Sequence, residues 1–113
     1  MKSLGLLCLA ALSATSPVSS SDLARIQIET KSSLSTTLRV YLYNWATGIY
    51  GQIGSNISVG TADGFFEVKT SGSPGSGTPY IRPSDKRMKA RLEWTHGTSS
   101  FNAFADVIEV GVR

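Results

Sequence analysis

Six aromatic side chains, Tyr41, Tyr43, Trp45, Tyr50, Tyr80 and Trp94, are the residues of this sequence whose chemistry best suits a ligand. Four of them fall in the stretch Leu38–Gly54, "LRVYLYNWATGIYGQIG". Sugar rings present apolar faces that stack on aromatic side chains, and phenol and indole add a polar edge for hydroxyl groups. The same residues turned inward make a core instead. Trp94 shares its alternation with Met88 and Leu92 and is expected in the core. Tyr41 and Tyr43 lie opposite Val40 and Leu42, so they either line a groove or are covered by another layer. The candidate ligand-binding set is therefore Tyr41, Tyr43, Tyr50 and Tyr80. Asn44, Trp45, Thr47 and Gly48 read as a structural turn. Gly48 supplies the left-handed backbone of a tight connection, and the Asn44 and Thr47 side chains satisfy its backbone. Trp45 is expected to fold over the end of the domain as a lid on apolar residues such as Ile49.

Catalysis finds little support. His96 is the single histidine and sits at a strand end running into a turn, Trp94-Thr95-His96-Gly97-Thr98. The eight carboxylates are scattered singly, and neither a nucleophile elbow, a metal-ligand spacing nor a phosphate-cradling loop occurs. The expectation is no enzyme, no catalytic residues, no metal and no cofactor. The basic run Arg82–Arg91, "RPSDKRMKAR", invites a nucleic-acid reading, but its alternation turns Met88 and Ala90 inward and leaves Arg87, Lys89 and Arg91 as one strand's polar face. A solvated face, or an edge charged against aggregation, is the expected role, with an anionic polysaccharide as the other reading. The formal charge of +3 is too slight to argue for nucleic acid or anionic membrane.

The elements that must position these residues follow from period. Met1–Ser20 has the basic tip, short apolar core and small-residue exit of a secretory leader, with cuts after Ala14 or Ser20 both suitable. The alternative for this segment is a buried strand. Its apolar run is too short to span a membrane, so no membrane insertion is expected once it is removed. Cys8, the single cysteine, lies within it, which leaves residues 21–113 without a thiol and dependent on core packing alone. From Leu23 onward the period is two, predicting about six strands over 23–31, 38–44, 49–54, 64–70, 86–95 and 102–112. Gly- and Pro-containing turns separate them, the longest being Ser71–Pro79. The expected fold is all-β, one secreted antiparallel β-sandwich at 21–113.

Three segments, "VYLYNWATGIYGQIG", "YIRPSDKRMKARLEW" and "FADVIEVGV", resemble the carboxy-terminal part of a β-sandwich module repeated in large secreted bacterial proteins. Asn44, Trp45, Thr47, Gly48, Tyr80, Arg91, Trp94 and Asp106 fall in the order of that module's motif, and the resemblance runs over about residues 23–113. It implies a jelly roll like that of galactose-binding-like and carbohydrate-binding modules. The module is longer and opens with strands that this chain replaces with its leader-like segment, so a jelly roll truncated to about six strands is expected. Related modules hold a structural calcium with early-strand carboxylates and an aspartate near the last strand. Asp106 matches the latter, the former have no counterpart, and the calcium is not carried over. The resemblance implies a non-catalytic module that binds extracellular polysaccharide or glycan, or serves in adhesion. The alternative is a structural or protein-interaction module, a shortened relic of a larger protein. The sequence carries no marker of oligomeric state.

Overall fold

The structure, a computed structural model, describes residues 7–18, 20–96 and 101–112, with only the backbone of 7, 8, 106–108 and 111. Eight strands are present among the described residues: β1 Leu7–Thr15, β2 Ala24–Ser32, β3 Thr36–Asn44, β4 Ile49–Gln52, β5 Ile57–Val59, β6 Gly64–Lys69, β7 Arg87–Thr95 and β8 Ala103–Val112. They form two antiparallel sheets. One runs β1-β7-β3-β4, with β5 also paired to β3; the other runs β6-β2-β8. The two sheets pack as a sandwich, so each strand needs one apolar and one polar face, and the observed alternation supplies it.

The inner faces meet in one core. The three-stranded sheet contributes Ala24, Ile26, Ile28 and Val68, and the five-stranded sheet contributes Leu38, Val40, Leu42, Met88, Ala90, Leu92 and Trp94. Trp94 is fully buried, as its alternation predicts, and its indole N–H donates across the layers to Thr30 Oγ1 at 3.2 Å. The Thr30 hydroxyl in turn donates to the Phe104 carbonyl at 2.6 Å, beside the point where the β2–β8 register shifts. A buried donor and a buried hydroxyl are thus both satisfied, and the bond ties one sheet to the other.

Two strands exceed the six expected. β5 has only three residues, too few to show a period. β1 lies inside the segment read as a leader and pairs with β7 over nine positions, from Leu7 opposite Thr95 to Thr15 opposite Arg87. Its Ala10 and Leu12 pack against the core. β7 is therefore an interior strand, and the expectation that its charges protect a sheet edge is corrected. A chain cut after Ser20 would lack β1 and leave β7 as the edge.

Candidate functional site

Strand pairing turns the alternation of β3, β4 and β7 into a patch. On the outer face of the five-stranded sheet Tyr41 of β3 stands opposite Arg91 of β7, and Tyr43 stands opposite Tyr50 of β4. Tyr43 meets Trp45 and Tyr50 edge-on, at centroid distances of 4.7 and 5.1 Å. The cations of β7 lie over these rings. The Arg91 guanidinium is 4.7 Å from the Tyr41 centroid and 5.0 Å from that of Tyr50, and the Lys89 ammonium is 5.0 Å from Tyr43 and 5.3 Å from Trp45. Each edge-on pair stabilises by about 0.5–1.5 kcal/mol and each exposed cation–ring contact by about 0.5–1 kcal/mol. The rings and cations thereby hold one another in place while all remain half-exposed.

The hairpin tip extends this row. The Asn44 side-chain oxygen accepts from the backbone N–H groups of Ala46 (2.9 Å) and Thr47 (3.2 Å), and Gly48 N–H donates to the Asn44 carbonyl at 2.8 Å. Gly48 has φ of +77°, the left-handed region that a side chain rarely adopts. Trp45 does not cover Ile49, which is 63% exposed. Its backbone N–H is instead fixed to the Pro79 carbonyl at 2.8 Å, its ring joins Tyr43, and Arg82 lies 4.7 Å over it. The indole nitrogen is itself buried without a hydrogen-bond partner. Beside Trp45 opens a mostly apolar cavity of about 550 Å³, lined further by Ala46, Thr78, Pro79, Ile81 and Pro83. That volume lies in the range of roughly 300–1,000 Å³ typical of small-ligand sites.

Charge on this face is unevenly matched. Arg82 donates through Nε to Asp85 at 2.8 Å and makes a second bond to the same carboxylate, which holds Asp85 down at about 2 and raises Arg82. Arg87 lies 3.8 Å from Asp85, and Arg39 pairs with Glu93 at 3.4 Å. Lys89 and Arg91 have no carboxylate partner among the described residues. Arg91 Nε is buried and makes no hydrogen bond.

Of the residues expected to bind, Tyr41, Tyr43 and Tyr50 come together. Tyr80 does not join them: it ends the 3₁₀ turn Thr78–Tyr80 and packs against the core. Tyr41 and Tyr43 face outward and half-exposed, and no second layer covers them among the described residues. His96 Nδ1 is 2.8 Å from the Ser35 carbonyl, at the strand end away from the row. The side chain of Asp106 lies outside the described residues, and among the described residues no cluster of metal-ligating side chains occurs. Sequence reasoning missed Lys89 and Arg91, which it took as a solvated strand face. Their outward alternation was visible, but only the β3–β7 pairing shows that they face tyrosines.

No family model matches the sequence, and no curated protein matches it either. Solved structures match the fold. A family 61 carbohydrate-binding module, TmCBM61 in complex with β-1,4-galactotriose, superposes with a TM-score of 0.57 at 8% identity, covering 93% of this chain and 62% of that one. A family 4 carbohydrate-binding module gives 0.57 at 10% identity, covering 95% and 61%. The enzymatically active domain of bacteriophage CBA120 tailspike protein 4 gives 0.59 at 15% identity, covering all of this chain and 15% of that one. The chain thus spans about three fifths of the length of the two modules. The likeness establishes a β-sandwich of the kind these modules use.

Proposed function

We propose that this protein is a non-catalytic module that binds carbohydrate on the outer face of its five-stranded sheet. The observation that carries the reading is the half-exposed row of Tyr41, Tyr43, Trp45 and Tyr50, in which Tyr43 meets Trp45 and Tyr50 edge-on and Arg91 lies over both Tyr41 and Tyr50. A sheet holds such rings at the strand spacing, about 4.8 Å, with little freedom left to lose on binding. Ring edges and faces meet the apolar side of a sugar, and the phenol groups, Gln52 beside Tyr41 and the two β7 cations offer hydrogen bonds to its hydroxyl groups. The cavity beside Trp45 extends the row at one end. The fold likeness to two carbohydrate-binding modules supports the same reading.

Tryptophan fluorescence tests it. Trp45 and Trp94 are the two tryptophans, so a Trp94→Phe background reports Trp45 alone. Titration with galactan, xylan and acidic polysaccharides is expected to give a saturable change with at least one of them, abolished by Tyr43→Ala. A flat signal throughout, with no retention on any of these polymers, overturns the reading.

A further inference from the structure

We propose that the carbohydrate this face takes is acidic, with a carboxylate or sulfate group of the polymer seated between Lys89 and Arg91. The inference rests on the carbohydrate reading above and adds the sign of the ligand's charge. Lys89 and Arg91 stand two positions apart on β7, so their side chains leave the same face about 6–7 Å apart. Their neighbours on the open flank are short: Ser13 of β1 lies opposite Lys89 and Ala11 opposite Arg91, both exposed. On the other flank stand the tyrosines. The two cations thus lie against the rings on one side and are bordered by small, exposed residues on the other, a flank open to a polymer laid along the strand.

The charge of these two cations has no internal answer. Glu93 is taken by Arg39 and Asp85 by Arg82 and Arg87, while Lys89 and Arg91 rest on aromatic rings alone among the described residues. The Arg91 guanidinium is in addition partly withdrawn from water, its Nε buried with no acceptor in reach. An anion placed here gains charge-assisted bonds from the Lys89 ammonium and the outer nitrogens of Arg91, and such bonds are about twice as strong as neutral ones. Neutral sugars use the rings but leave both charges unmatched. The overall charge of +3 would not reveal this, because the preference arises from where the carboxylates are already engaged.

Binding of polygalacturonate, its fully methyl-esterified form, dextran sulfate and unmodified dextran distinguishes the outcomes, with the wild-type chain compared to Lys89→Gln and to Lys69→Gln, which removes the same charge from the opposite sheet. The expected result is binding of an acidic polymer about tenfold or more tighter than its neutral counterpart, weakened several-fold by Lys89→Gln but not by Lys69→Gln. In the wild-type chain it should also weaken as salt rises from about 0.05 to about 0.5 M. Preference for polygalacturonate over its ester assigns the anion as a carboxylate; preference confined to dextran sulfate assigns a sulfate ester. Equal affinity for acidic and neutral forms, or equal weakening by the two lysine variants, overturns the acidic preference and leaves the carbohydrate reading standing. Retention of no polymer, charged or neutral, overturns both.

Discussion

The outer faces of the two sheets are built by the same alternation and end in different chemistry. On the three-stranded sheet, Glu67 of β6 collects Arg25 at 3.5 Å, Lys69 at 4.0 Å and the Gln27 amide at 2.9 Å, so two of its cations are matched by a carboxylate, while Lys31 lies 5.9 Å over the Phe104 ring. On the five-stranded sheet, Lys89 and Arg91 are matched by tyrosine and tryptophan rings. Where cation meets carboxylate the charge is answered in water and adds little to stability, since exposed pairs contribute about 0–1 kcal/mol. A face of rings and unanswered cations keeps both apolar area and charge available to a partner. Polar residues turned outward therefore say little until it is known which residues stand beside them.

The comparison can be broken most severely at the core that both faces share. Trp94→Ala should destabilise by about 3–5 kcal/mol, measured by denaturant unfolding, and should abolish any difference between the faces by unfolding both. A loss below about 1 kcal/mol would mean that Trp94 is not the cross-layer residue described here. Deleting residues 1–15 attacks one sheet alone. It strips β1 from β7, exposing the strand on which Lys89 and Arg91 stand, and should lower the melting temperature and promote self-association on a sizing column. Sequencing the amino terminus of the purified protein complements this, since a chain beginning near Ser21 cannot contain β1.

Single substitutions in the core and on the outer faces should sharpen the contrast. Thr30→Val leaves the Trp94 indole N–H buried and unpaired at a cost of about 1–3 kcal/mol, and acts on stability without touching either outer face. Tyr50→Ala should cost roughly 1 kcal/mol in stability yet reduce polysaccharide affinity about tenfold or more. Glu67→Gln, on the opposite face, should stay within about 0.5 kcal/mol and leave binding unchanged. If Glu67→Gln altered binding as much as Tyr50→Ala, the assignment of function to one face would fail.

The smallest expected effect is in acid. Asp85 is held at about 2 by the hydrogen bond from Arg82, below its ordinary 3.8. A depressed carboxylate contributes above its unfolded value and loses that contribution as pH falls through its folded one. The stability contribution should therefore fade between about 4 and 2, while the Arg82 contact on Trp45 in the folded protein should persist from neutral pH to about 3 and loosen as pH falls through about 2. Trp45 fluorescence in the Trp94→Phe background, with Asp85→Asn as the comparison, reads this directly.

Much of this fold is legible in the residues. The alternation in Arg25–Glu29, Leu38–Tyr43 and Arg87–Trp94 gives strand, face and core, and six strand ranges agree with the structure to within two residues. β1 was not legible as an assigned strand, because a short run of leucine, alanine and serine satisfies a leader and an edge strand equally well; its pairing with β7 is a tertiary fact. The site was half legible. Tyr43 and Tyr50 are brought together by a local hairpin whose turn, Asn44 to Gly48, carries its own signals. Arg91 meets Tyr41 only because β7 inserts beside β3, and nothing near either residue announces that pairing.

The two indole N–H groups offer the most direct test of the central claim, because one lies on the proposed face and the other in the core. In a ¹⁵N-resolved NMR titration with an oligosaccharide prepared from whichever polysaccharide is retained, the Trp45 indole signal and the backbone signals of Tyr41, Tyr43, Tyr50, Lys89 and Arg91 should shift together and saturate. The Trp94 indole, bonded to Thr30 in the interior, should stay in place. Shifts gathered instead on β2, β6 and β8, with the Trp45 indole unmoved at saturation, would contradict the account.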